Sequence, residues 1–309
     1  MVPATTDPET GRGPAVQVRR PPLASARSGS GRPVVLVHGF TQTGESWRRV
    51  AELLAASHEV TTVDLPGHGR SGDRRVADLG EAATLVGETG GPAVYVGYSL
   101  GGRCCLTLAL SRPRLVEHLV LVGATAGIEE PLERAARRVA DEALADRLDP
   151  RDGSAGQPVA DFLEKWLAGP LFAHLDAEQA DVAARLANTG PGLASSLRTT
   201  GTGTQVPSWG RLAELAMPVD LVTGERDARF GEIAIRMARA VGANARHTVV
   251  PGTGHAVPFE DPAAFAALVL RLVDRDPDGD RGRAPAARPG APAGDAPAGG
   301  GEVTTRSRA

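Results

Sequence analysis

Gly97-Tyr98-Ser99-Leu100-Gly101 sets a serine between two glycines, after the apolar run Val94-Tyr95-Val96 and before a helix-like stretch from Arg103 to Leu110. A serine hydroxyl is a weak nucleophile until a fold presents it and a base takes its proton. A G-x-S-x-G turn between strand and helix does the presenting, because the sharp bend lifts the hydroxyl clear of the sheet. Glycine on either side leaves room for backbone to pack close behind. The base candidate is His255, in Gly252-Thr253-Gly254-His255 after the strand-like run 247–250. The acid candidate is Asp227, which follows the apolar run 219–222 and the break Thr223-Gly224-Glu225-Arg226. Such a histidine would accept the Ser99 proton, and such an aspartate would hold the imidazole in the right tautomer. Glu225 is a rival acid, and Asp261 a weaker one. His38 and His68 read as structural loop residues rather than second bases.

These groups need a frame that brings them together. Short apolar runs at 34–38, 59–63, 93–98 and 118–123 alternate with helical patterns at 45–56, 78–88 and 100–111. That alternation predicts parallel β-α-β units. It stops near 127 and resumes near 218, ending in a helix over 262–273. The interval is polar and helical, broken by Pro131, Pro150, Gly153, Pro158, Gly190 and Pro191. An insertion there could cover the site as a lid, with a polar loop inside it at 149–158. Residues 1–31, rich in Pro, Thr, Gly and Arg, and 276–309, rich in Pro, Ala and Gly, lack apolar periodicity, a composition that predicts disorder. The folded domain is therefore expected over 32–275, with its lid at about 127–217.

Composition narrows the function classes. A chain of 309 residues with a formal charge of −3 gives no electrostatic case for nucleic acid. No apolar run approaches membrane-spanning length. The N-terminal stretch has no apolar core of the secretory type, so the expected location is cytoplasmic. The two cysteines, Cys104 and Cys105, are adjacent on one predicted helix and would point apart, as reduced core thiols. No cluster has metal-ligand spacing, so no metal is expected.

Val37-His38-Gly39-Phe40, Asp64-Leu65-Pro66-Gly67-His68-Gly69, Gly97 to Arg103 and Gly224-Glu225-Arg226-Asp227 together resemble the α/β-hydrolase superfamily. The resemblance covers about 34–273. It implies a mostly parallel central sheet with helices on both faces and a helical lid. It also implies an oxyanion hole made by the amides of Phe40 and Leu100. More narrowly, the chain is similar to the 2-succinyl-6-hydroxy-2,4-cyclohexadiene-1-carboxylate synthases of menaquinone biosynthesis. The stretches that carry this are Gly102-Arg103, Glu133 to Arg137, Phe162 to Trp166, Pro170-Leu171-Phe172, and Ser196-Leu197-Arg198 through Gln205 to Trp209. That family expels pyruvate from a cyclohexene bearing several carboxylates, without cofactor. On this pattern Arg103, Arg137 and Arg198 would bind carboxylates, with Arg134 a possible fourth cation, and Tyr98 and Trp166 would wall the pocket. Guanidinium forks suit this because they pair with carboxylates in a bidentate way.

Two other readings use the same residues. A carboxylesterase or carbon–carbon-bond hydrolase would employ the same triad on a carbonyl. A small-molecule receptor would keep the triad and bind without turnover. A polycarboxylate substrate is the expected partner, and the oligomeric state is left open.

Overall fold

The computed structural model describes residues 22–274. Seven strands form one sheet: β1 (Ser25–Ser28), β2 (Arg32–Val37), β3 (His58–Val63), β4 (Ala93–Tyr98), β5 (Val116–Val122), β6 (Val219–Gly224) and β7 (Ala245–Val250). Their spatial order is β1-β3-β2-β4-β5-β6-β7, and every pairing except β1 with β3 is parallel. The helices outside the insertion are α1 (Arg48–Leu54), α2 (Leu79–Gly90) and α3 (Leu100–Ser111), then α9 (Ala228–Val241), α10 (Val257–Glu260) and α11 (Pro262–Val273). The insertion holds α4 (Pro131–Leu148), α5 (Val159–Leu167), α6 (Ala177–Ala180), α7 (Val182–Arg185) and α8 (Gly190–Thr200).

The strand sequences dictate the layers. β4 and β6 are buried along their whole length, as a parallel sheet covered on both faces requires. Alternate residues face opposite cores. Val35, Val37, Tyr95, Leu119 and Leu121 pack with α2, α3 and α9, whereas Val34, Leu36, Val94, Val96 and Val120 pack with α1 and α11. The two edges are blunted: β1 reads Ser-Ala-Arg-Ser and β7 carries Arg246 and His247. A smaller cluster, Ala145, Leu148, Phe162, Leu193, Ala194 and Leu197, holds the insertion together.

From edge strand β1 the chain passes to β2 inside the sheet, runs back outward to β3, and crosses to β4 on the other side of β2. Strand order therefore reverses between β2 and β4, and the loops leaving their carboxyl ends diverge around a crevice. Phe40 follows one of these strands and Ser99 the other. The expected domain start at 32 is corrected: Ser25–Ser28 already belongs to the sheet, paired with Val60–Val63. Four polar or small residues carry no apolar alternation, so backbone pairing alone makes this edge strand. The tail expected at 276–309, and residues 1–21 of the expected N-terminal segment, lie outside the described residues. Segment 149–158 is the expected loop, folded back so that Gln157 N donates to Arg147 O at 2.6 Å.

Candidate active site

Ser99 sits at the sharp turn between β4 and α3 with φ +50° and ψ −108°, a backbone conformation few non-glycine residues adopt. Close approach of neighbouring backbone enforces the flanking glycines. A Cβ on Gly97 would lie 2.5 Å from Gly101 O, and one on Gly101 would lie 2.1 Å from Val37 O. The turn is tied down by Ser99 N donating to Val122 O at 2.8 Å.

Asp227 ends the loop after β6 and caps α9, with Oδ1 accepting from Phe230 N at 3.2 Å. Its Oδ2 accepts from His255 Nδ1 at 2.6 Å, and both side chains are buried. With Nδ1 engaged, Nε2 is the nitrogen left to serve a hydroxyl. The imidazole is packed by Phe230, with ring centroids 4.5 Å apart, and by Tyr98 at 5.4 Å. Glu260, which the sequence did not flag, grips the histidine loop by accepting from Gly254 N at 2.6 Å and Ala256 N at 2.9 Å. The rival acids are occupied elsewhere. Glu225 accepts from Gly252 N at 2.8 Å, and Asp261 accepts from Ala264 N at the start of α11.

One cleft is lined by Ser99, His255, Phe40, Leu100, Tyr98, Arg103, Arg137 and Trp166, so nearly all the expected residues meet there. Arg103 is buried and donates from Nη1 to Thr200 O at 2.8 Å and to Gln205 Oε1 at 3.2 Å. Burial lowers its pKa to about 10, which keeps it charged at neutral pH. Arg137 donates from Nε to Asp141 Oδ1 at 2.7 Å. Asp141 is itself buried in the cleft wall and accepts from Gly203 N at 3.1 Å. Burial raises the Tyr98 phenol pKa, so Tyr98 stays neutral. Trp166 packs on Phe40, with centroids 5.2 Å apart, and stacks on Phe162.

Arg198 is not brought to this cleft. Its guanidinium is taken by Glu142 at 2.9 Å, Asp146 at 2.7 Å and Asp149 at 3.5 Å, and it ties α8 to α4 within the insertion. Arg134 also lies outside, donating to Ile128 O and Glu129 O. The cation that sequence reasoning missed is Arg185, at the end of α7. It is 1% exposed, lines the cleft, and donates to Ala180 O at 2.7 Å and to Thr41 Oγ1. Burial lowers its pKa to about 10. A lone arginine after Ala183-Ala184 carries no periodic or motif signal, so only the fold reveals its burial.

His38 and His68 are both buried and structural in their contacts. His38 Nε2 accepts from Leu65 N at 3.0 Å, joining the loops after β2 and β3, while Nδ1 meets Gly39 O at 2.8 Å. His68 Nδ1 donates to Pro66 O at 3.0 Å. Cys104 and Cys105 are buried free thiols, and burial raises the Cys104 pKa to about 12. Among the described residues no group of three or more His, Cys, Asp or Glu is placed to hold a metal ion. Among them, too, no helix is long and apolar enough to cross a membrane.

Comparison with known proteins agrees with this architecture. The family model described as "Alpha/beta hydrolase family" matches residues 34–268. A protein named 2-succinyl-6-hydroxy-2,4-cyclohexadiene-1-carboxylate synthase from Klebsiella pneumoniae (strain 342) is 33% identical over 252 residues, covering 79% of this chain and 95% of that one. The solved structure of MenH from S. aureus superposes with a TM-score of 0.72 at 27% identity, covering 81% of this chain and 97% of that one. A thermophilic esterase from Thermogutta terrifontis shares the fold, with a TM-score of 0.68 at 24% identity, covering 81% and 92%. The chain belongs to the α/β hydrolase family and, within it, to the family of 2-succinyl-6-hydroxy-2,4-cyclohexadiene-1-carboxylate synthases.

Proposed function

We propose that the protein is a lyase that eliminates pyruvate from 2-succinyl-5-enolpyruvyl-6-hydroxy-3-cyclohexene-1-carboxylate, giving 2-succinyl-6-hydroxy-2,4-cyclohexadiene-1-carboxylate in menaquinone biosynthesis. The observation that carries this beyond family membership is the charge of the cleft: Arg103, Arg137 and Arg185 line the same cavity as Ser99 and His255, against one lining carboxylate, Asp141, which Arg137 already engages. Two of these cations are buried, and a buried charge is costly without a partner. A ligand with several carboxylates supplies that partner in bidentate geometry. A neutral ester does not.

The chemistry follows from the two ring names. The 3-ene becomes a 2,4-diene, so the proton leaves C2, beside the succinyl ketone. The C2–H electron pair forms C2=C3, the old C3=C4 pair moves to C4=C5, and the C5–O bond breaks. Enolpyruvate departs and ketonises to pyruvate, and no water is consumed. The Ser99–His255 pair takes the proton, and Asp227 stabilises the imidazolium. Negative charge builds on the ketone oxygen as C2 loses its proton. The amides of Phe40 and Leu100 are the proposed donors to that oxygen, and backbone donors need no reorganisation as charge appears. Tyr98 and Trp166 supply the walls that keep water out.

The test compares specificity constants for the enolpyruvyl precursor and for p-nitrophenyl acetate. We expect fast release of pyruvate from the first and slow hydrolysis of the second. Fast hydrolysis of the neutral ester with no pyruvate from the precursor would favour the esterase reading and overturn this one.

A further inference from the structure

The loop that carries Phe40 is held in a costly shape. Thr41 adopts φ +69°, the left-handed region that β-branched residues resist, and it is fully buried. Local contacts supply part of the restraint: Gly39 N donates to Gln42 Oε1 at 3.0 Å, and Gln42 N donates to Gly39 O at 3.2 Å. The rest comes from the lid. Asn188, in the segment between α7 and α8, is 5% exposed. Its Nδ2 donates to Thr41 O at 2.7 Å and to Arg185 O at 2.9 Å. Its Oδ1 accepts from Gly69 N at 2.8 Å. One amide thus ties the loop after β2, the loop after β3 and the lid segment at a single point. Arg185 adds a second tie through Thr41 Oγ1.

We propose that Asn188 is a positioning residue that holds the Gly39–Gln42 turn so that the Phe40 N–H stays aimed at the developing oxyanion. The proposal rests on the reading of Phe40 as an oxyanion donor. Its physical content is that a strained backbone persists only where its surroundings over-determine it. Without the Asn188 donor the Thr41 carbonyl loses its clamp, Thr41 relaxes toward negative φ, and the Gly39–Phe40 amide in the same turn loses its fixed direction. The lid then does more than cover the site, because seating it completes the oxyanion pair.

The experiment follows labelling of Ser99 by an alkyl fluorophosphonate in the full chain, in Asn188→Asp and in Asn188→Ala. In that reaction the Ser99 Oγ–P bond forms, the P–F bond breaks, fluoride leaves, and His255 takes the hydroxyl proton. The phosphoryl oxygen gains charge where the proposed amides point, and the probe carries no carboxylate for the arginines. Asn188→Asp keeps the shape and the Gly69 contact but loses the donor to Thr41, so it carries the test even if Asn188→Ala fails to fold. We expect the labelling rate constant at saturating probe to fall about 10- to 100-fold in both variants. Half-saturation and the pH midpoint should stay unchanged. An Asn188→Asp protein that labels at the unaltered rate overturns the proposal. So does a raised half-saturation or lowered Tm with the rate unmoved, the signature of a residue that only seats the lid. If the unaltered chain is not labelled, the Ser99–Phe40 reading itself fails, and the proposal falls with it.

Discussion

At the scale of single residues, the proposed chemistry depends on which carboxylate orients His255. Asp227 meets His255 Nδ1 at 2.6 Å, whereas Glu225 accepts from the Gly252 amide. Steady-state rates should therefore fall on the order of 10³-fold or more in Ser99→Ala, His255→Ala and Asp227→Asn, and hardly at all in Glu225→Gln. An inactive Glu225→Gln beside an active Asp227→Asn would reverse the acid assignment. The arginines make a second prediction. Removing Arg103 or Arg185 deletes a charge-assisted contact worth about 1.5–3 kcal/mol, or about 10- to 150-fold in specificity constant for a polycarboxylate. Lysine should not fully restore it, because the fork geometry is lost. Arg198→Ala should leave turnover near normal and lower Tm instead, since its partners are Glu142, Asp146 and Asp149. A specificity constant that collapses in Arg198→Ala while Tm holds would contradict that placement. The placement of Ser99, Asp227 and His255 beyond strand ends was legible because each lies within a short local motif. Arg185 was not, because its burial is a product of how the lid segments pack, and Arg198 misled because a charged helix looks the same whether it faces substrate or its neighbour.

At the scale of elements, the loops after β2 and β3 are pinned by two neutral histidines. Burial lowers His38 to a pKa of about 4 and His68 to about 3, against the ordinary value of 6.5. The unfolded chain binds protons near pH 6.5 that the fold refuses. Stability from these groups is therefore complete above that pH and is lost as pH falls toward about 4, by up to roughly 1.4 kcal/mol per pH unit for each histidine. Urea unfolding should show a midpoint that drops between pH 7 and pH 5, and a shallower drop in His68→Asn, which keeps a donor for Pro66 O. Parallel slopes in the two proteins would contradict this. The strands and helices flanking the site were legible to within a few residues, since buried parallel strands read as apolar runs bounded by turns. β1 was not: a four-residue polar edge strand has no face to bury, so its existence depends on the free edge of β3.

At the scale of the whole molecule, the chain carries a formal charge of −3, yet three guanidiniums and only one carboxylate, Asp141, line one cleft. General basicity does not explain that excess; the proposed polycarboxylate ligand would. The fold alone leaves the reaction open, because an esterase superposes nearly as well as MenH. What separates the readings is whether water enters the product. The deciding measurement follows diene absorbance and pyruvate together when the enolpyruvyl precursor meets the purified protein. One pyruvate per diene is expected, with a ring product lighter than the precursor by the mass of pyruvic acid and loss of both signals in Ser99→Ala. A ring product that has gained water, or turnover without a diene, would contradict it.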